Sequence, residues 1–110
     1  MADGKEEIKE RRDQDSDVAR AIEKAQDIMR RNVGNLLAHQ FRLESVEQNG
    51  EETKYIVICS IVPDLGRDRD YYFIKIDVES GNIVLPVRRG KFNSGKIDWQ
   101  EMNIPAEWLK

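Results

Sequence analysis

The sequence predicts an α+β domain: an N-terminal amphipathic helix packed on a four-stranded antiparallel meander sheet, with an aromatic C-terminal tail. Three observations predict it. Apolar residues recur at three- and four-residue steps from Val18 to Met29, and the period falls to two after Phe41. Asn-Gly, Pro-Asp and Ser-Gly clusters then interrupt the apolar runs at hairpin spacing.

The helix is expected over 17–33. Val18, Ala21, Ile22, Ala25, Ile28 and Met29 fall on one stripe. Ser16 is placed as N-cap and Asp17 at the positive end of the helix dipole, while Arg30 and Arg31 suit the negative end before Gly34. Leu36 and Leu37 are expected to add a turn that closes the core edge. Phe41 and Leu43 then alternate with Gln40, Arg42 and Glu44 in a first strand, and Asn49-Gly50 tolerates the positive φ of a hairpin turn.

The run 55–62 is apolar on both alternating faces and rich in β-branched residues, which predicts a central strand covered on two sides. After a polar connection over 63–70, alternation resumes in 71–78. It points Tyr72, Ile74, Ile76 and Val78 to the core and Tyr71, Phe73 and Lys75 to the opposite face. A turn over 79–82 leads to a fourth strand over 83–87, where Pro86 lacks a ladder donor and so suits an edge. One helix covers only one face. The other is expected to be covered by the C-terminal segment folding back, or by a second protein chain.

A length of 110 residues, with 39% hydrophobic and 35% charged, suits one domain. Residues 1–15 offer only Ile8 as a large apolar side chain and are expected to be a disordered or frayed charged tail. The domain is then drawn over 16–97, with 98–110 as a docking tail. No apolar run reaches the roughly 18 residues of a membrane span, and the N-terminal residues have no apolar signal core. A soluble, cytoplasmic chain without membrane attachment is expected.

Tests for chemistry are negative or weak. The single cysteine, Cys59, excludes an intramolecular disulfide, and the single histidine, His39, excludes zinc motifs that need a histidine pair. The string from Gly90 to Lys96 reads G-x-x-x-x-G-K, but Ile97 follows where a P-loop needs Ser or Thr for Mg²⁺, so a flexible basic loop is expected there. Cys59 sits in the most apolar strand, where a thiol stays protonated, and His39 is expected to be a hydrogen-bonded structural residue. Asp64, Asp68 and Asp70 lack the spacing of a calcium loop. Arg67 and Arg69 interleave with them, which predicts mutual neutralisation on a solvated loop. No catalytic residue, cofactor or metal site is assigned, and an enzyme is not expected.

Two resemblances add to these observations. The helix, the hairpin and the aromatic strand 72–77 leading into 79–84 look like a PepSY-type unit. Val46 to Gly50, the apolar strand, Val62-Pro63-Asp64, Tyr72, Ile76-Asp77, Gly81 and the end Arg88-Arg89-Gly90-Lys91-Phe92 resemble the gas vesicle protein O family in order and approximate spacing. That likeness covers about residues 18–92. The aromatic after the hairpin glycine is displaced to Tyr55, the arginine before Ile-Pro-Asp is absent, and one extra residue separates Asp77 from Gly81. Both resemblances imply a small sheet that binds other proteins and no enzyme.

The expected function is therefore that of a non-catalytic accessory or adaptor protein. It engages a protein partner, or a second copy of itself, through the sheet face and the C-terminal tail. Tyr71, Phe73, Trp99, Met102, Trp108 and Leu109 are the candidate contact residues. The alternative is a nucleic-acid or anion-binding module using Arg88, Arg89, Lys91 and Lys96, which occur with no acid between Pro86 and Ile97.

Overall fold

The computed structural model describes residues 14–50, 53–64 and 68–109. The expected charged tail lies outside them up to residue 13, and its last two residues open the helix. This helix, α1, runs Gln14–Val33 and so begins earlier than a Ser16 cap would allow. Asp15 and Asp17 occupy its first turn, where their charge complements the exposed backbone N–H groups.

The apolar stripe falls where the spacing puts it, except that Ile22 is only partly buried at its margin. Ala21, Ala25, Ile28 and Met29 are buried, with Val18 and Val33 packed at the two ends. The two alanines let the helix backbone approach the sheet, and the larger side chains each contribute roughly 1.5–3 kcal/mol on burial. The exposed Arg30–Asp27 pair, at 3.0 Å, contributes only about 0.3–0.5 kcal/mol, so the stripe and not surface charge holds the helix in place. The N–H of Gly34 donates to the Arg30 carbonyl at 2.7 Å and ends the helix. Asn35 Oδ1 then accepts from the N–H groups of Leu37 and Ala38, at 2.9 and 3.1 Å, and starts a turn over 36–40. That turn packs Leu36 against the core but leaves Leu37 91% exposed, so only one of the two leucines closes the core edge.

The sheet has five strands, not four, in the order β1 to β5 with every pair antiparallel. They are β1 Arg42–Gln48, β2 Lys54–Ile61, β3 Asp70–Asp77, β4 Asn82–Asn93 and β5 Lys96–Met102. β2 pairs along its length with β1 and β3, so the doubly apolar strand is interior. Tyr55, Val57, Cys59 and Ile61 from β2 join Tyr72, Ile74 and Ile76 from β3 under the helix.

The extra strand comes from the C-terminal segment. β4 continues past Val87 to Asn93, and the chain reverses through Ser94 (φ 52°) and Gly95 (φ 87°) to pair Lys96 with Asn93. Positive φ at both central residues is the two-residue turn whose twist matches a hairpin, and Gly95 adopts it without a side-chain clash. The expected flexible basic loop is therefore ladder and tight turn. β4 is not an edge strand, yet β5 begins its pairing at Val87, so Pro86 still faces no ladder neighbour on the β5 side. The Leu85-Pro86 peptide is cis.

Beyond β5 the chain turns to the helix side. Met102 and Ile104 pack against the core, and Arg31 Nη1 donates to the Glu107 carbonyl at 3.1 Å beside the 3₁₀ turn η1, Ala106–Leu109. Residues 98–109 are thus not a tail folded across the opposite face. They lengthen the sheet in its own plane and then return to the face that already carries α1.

Candidate protein-binding face

The pleat sends alternate residues to opposite sides, so the face away from α1 is read from the strand registers. Ile58, Phe73 and Arg88 lie in one cross-strand row with Ser45 and Glu101 at the margins. The next row holds Glu47, Ile56, Lys75 and Val84, and the row on the other side holds Arg42, Ser60, Tyr71, Gly90 and Trp99. Ile56, Ile58, Tyr71, Phe73, Val84 and Trp99 are only partly buried. Leu85 and Phe92 extend this apolar surface at 55% and 61% exposure. Among the described residues, no helix or strand lies over it.

Two aromatic contacts order its centre. Phe73 and Trp99 meet edge to face, with ring centroids 5.7 Å apart and planes at 69°, a geometry that suits the ring quadrupoles. The Arg88 guanidinium carbon lies 5.3 Å from the centre of the Phe73 ring, within cation–π range. Gly90 makes room for the indole: a Cβ there would fall 3.0 Å from Trp99 Cε3 and 2.6 Å from the Asp98 carbonyl oxygen.

One end of the face is closed by a polar network. Ser60 Oγ donates to Glu44 Oε2 at 2.6 Å, Arg42 Nε donates to the same oxygen at 2.7 Å, and Arg69 Nη1 donates to Ser60 Oγ at 3.0 Å and the Gln40 carbonyl at 2.8 Å. Burial alone would raise the Glu44 carboxyl. The hydrogen bonds from Ser60 and Arg42 and the charges of Arg42 and Arg69 outweigh it, so Glu44 titrates below its ordinary value.

Of the sequence candidates for partner contact, Tyr71, Phe73 and Trp99 come together on this face. Met102 does not: it sits opposite Val87 on the helix side and packs against the core. Trp108 and Leu109 lie in η1, with their side chains outside the described part of the chain. Ile56, Ile58, Val84 and Leu85 belong to the same face. The first two carry the doubly apolar signal of 55–62, whereas Leu85 is displayed by a register shift in the β3–β4 ladder that no local pattern announces.

The basic string is divided by the same alternation. Arg88 is on the outer face, while Arg89, the cross-strand partner of Tyr72, and Lys91, whose Nζ lies 2.5 Å from Asp70 Oδ1, are on the helix side. Asp70 is correspondingly not a solvated loop acid but a buried residue opening β3. Arg69 turns to Ser60 and Gln40 instead of neutralising the neighbouring aspartates. His39 Nδ1 lies 2.8 Å from the Asn35 carbonyl oxygen, and its own carbonyl accepts from Val62 N–H at 2.7 Å. Cys59 is fully buried, which pushes its thiol up to about 12. Among the described residues, no three His, Cys, Asp or Glu side chains gather as a metal site, and no helix is long and apolar enough to cross a membrane.

No family model, curated protein or solved structure matches the chain.

Proposed function

We propose that the chain is a non-catalytic accessory module that engages a protein partner, including a second copy of itself, through the outer face of its sheet. One observation carries this reading. Interior strand β2 is apolar on both sides, α1 shields one of them, and Ile56 and Ile58 on the other share a surface with Phe73, Val84 and Trp99. Apolar patches of this kind on small domains mark interaction surfaces, because leaving them in water costs about 25 cal/mol for each Å² that a partner could cover. The edge-to-face Phe73–Trp99 pair supplies the aromatic anchor that concentrates binding energy at the centre of an interface.

The test compares the native chain with Ile58→Lys and, separately, Phe73→Lys. Each variant is checked for an unchanged far-UV spectrum and for continued protection of Cys59. The expected result is that the native chain retains proteins from native extract, or forms a dimer by light scattering, and that this is lost with both folded variants but not with Leu37→Lys on the exposed turn. Retention of the same proteins and the same mass by all the variants would overturn the proposal. A second arm addresses the basic string: with Arg88 and Arg89 on opposite faces and Lys91 paired to Asp70, no retention on heparin is expected at 0.15 M salt, roughly physiological ionic strength.

A further inference from the structure

Resting on that proposal, we infer that the partner presents an acidic, apolar segment, an aromatic or aliphatic side chain flanked by carboxylates, to a groove between β2, β3 and β4. The groove encloses about 230 Å³ on the outer face. Its floor is apolar, built from Ile56, Phe73 and Val84, with Leu85 at its rim. Its charged lining residues are Lys75 and Arg88, and no carboxylate lines it.

Register places the two cations around the floor. Lys75 is opposite Val84, and Arg88 is opposite Phe73. Glu47, across from Ile56, and Glu101, across from Arg88, are the carboxylates nearest in register. Among the described residues, neither Lys75 nor Arg88 has a carboxylate within ion-pair distance. Arg42 and Arg69, at the other end of the face, are already held, Arg42 by Glu44 and Arg69 by Ser60 and the Gln40 carbonyl. Two cations beside an uncovered apolar floor select against a basic segment, which would bring like charges together. They also favour an acidic one over a neutral one by steering its approach.

A groove of about 230 Å³ suits one large side chain, which an extended segment can insert as its anchor. Arg88, lying against the Phe73 ring, is restrained before any ligand arrives. It therefore loses less freedom on pairing with a carboxylate than a free arginine would.

The experiment titrates the ¹⁵N-labelled full chain with three blocked peptides: Gly-Glu-Ser-Phe-Ser-Glu-Gly, the same peptide with lysines for glutamates, and the same with glycine for phenylalanine. The expected result is that the first shifts the Trp99 indole N–H and the amides of Ile56, Phe73 and Val84. Both controls should bind at least tenfold more weakly, and Lys75→Glu with Arg88→Glu should reverse the preference between the charged peptides. Raising NaCl from 0.05 to 0.5 M should weaken the first peptide severalfold, since the Debye length shrinks to a few ångströms. Equal binding of the lysine peptide on the same amides overturns the charge assignment and leaves the interaction face standing. Absence of shifts while Ile58→Lys still releases the partner overturns the acidic segment alone. Absence of shifts together with an indifferent Ile58→Lys overturns both.

Discussion

Trp99 and Gly90 are cross-strand partners, and a Cβ at Gly90 would fall 3.0 Å from Trp99 Cε3 as well as 2.6 Å from the Asp98 carbonyl oxygen and Ile97 Cγ2. The contact fixes the outer face, because the ring laid over Gly90 is the one that meets Phe73 two strands away. It also explains why a glycine, ordinarily a weak strand residue, sits in the middle of β4.

Gly90→Val is therefore expected to destabilise the fold. Valine would gain up to about 1 kcal/mol of strand preference, but its Cβ would meet the Asp98 carbonyl oxygen and Ile97 Cγ2 at 2.6 Å. The carbonyl belongs to the backbone and cannot swing aside. Overpacking of this kind costs about 1–3 kcal/mol, so the clash wins. A lower urea midpoint, with a shifted Trp99 indole resonance, is the expected measurement; an unchanged midpoint would mean that β5 adjusts freely.

Cys59 should be inert to alkylation in the folded chain. Raising the thiol from 9.0 to about 12 leaves about a thousandfold less thiolate at neutral pH, before burial further blocks the reagent. Labelling by iodoacetamide should track unfolding and accelerate across the urea transition. The same shift sets an alkaline limit. A folded value above the unfolded one contributes stability that is present below pH 9.0 and is lost as pH rises towards 12. Tyr72, raised chiefly by burial, acts in the same direction. Cys59→Ala should flatten the decline of the urea midpoint on this alkaline limb.

Glu44 governs the acid side in the opposite sense. Its folded value is depressed, so its contribution is present above the ordinary value of 4.5 and is lost as pH falls through the lower, folded one. Glu44→Gln removes charge-assisted bonds from Ser60 and Arg42 and should cost about 1–2 kcal/mol at pH 7. Thermal melts from pH 7 down to pH 3 should converge for the two proteins. A constant gap across that interval would show that the carboxylate charge contributes nothing.

The amphipathic stripe of α1 and the alternation of β2 and β3 were legible because their periods are local: each residue's face follows from its neighbours in the chain. Tyr71 and Phe73 could be assigned to the outer face, and Cys59 to the core, for the same reason. β5 was not legible. Ile97 and Trp99 alternate with Asp98 and Gln100, but the run is short, polar on its helix side and followed by Pro105, so it reads as a tail. Its signal is the turn-forming Asn93-Ser94-Gly95, which makes a hairpin only because β4 continues past Val87 to Asn93.

Sequence by itself determined the helix, the double-sided apolar strand and the outward direction of Tyr71, Phe73 and Lys75, since side-chain periodicity is a property of consecutive residues. Tertiary structure alone decided that Trp99 lands on Gly90 and Phe73, that Arg88 parts from Arg89 and Lys91, and that the chain end returns to the helix side. Those outcomes depend on registers between strands, and a register is chosen by the summed packing of all pairs in the ladder, which no single segment contains.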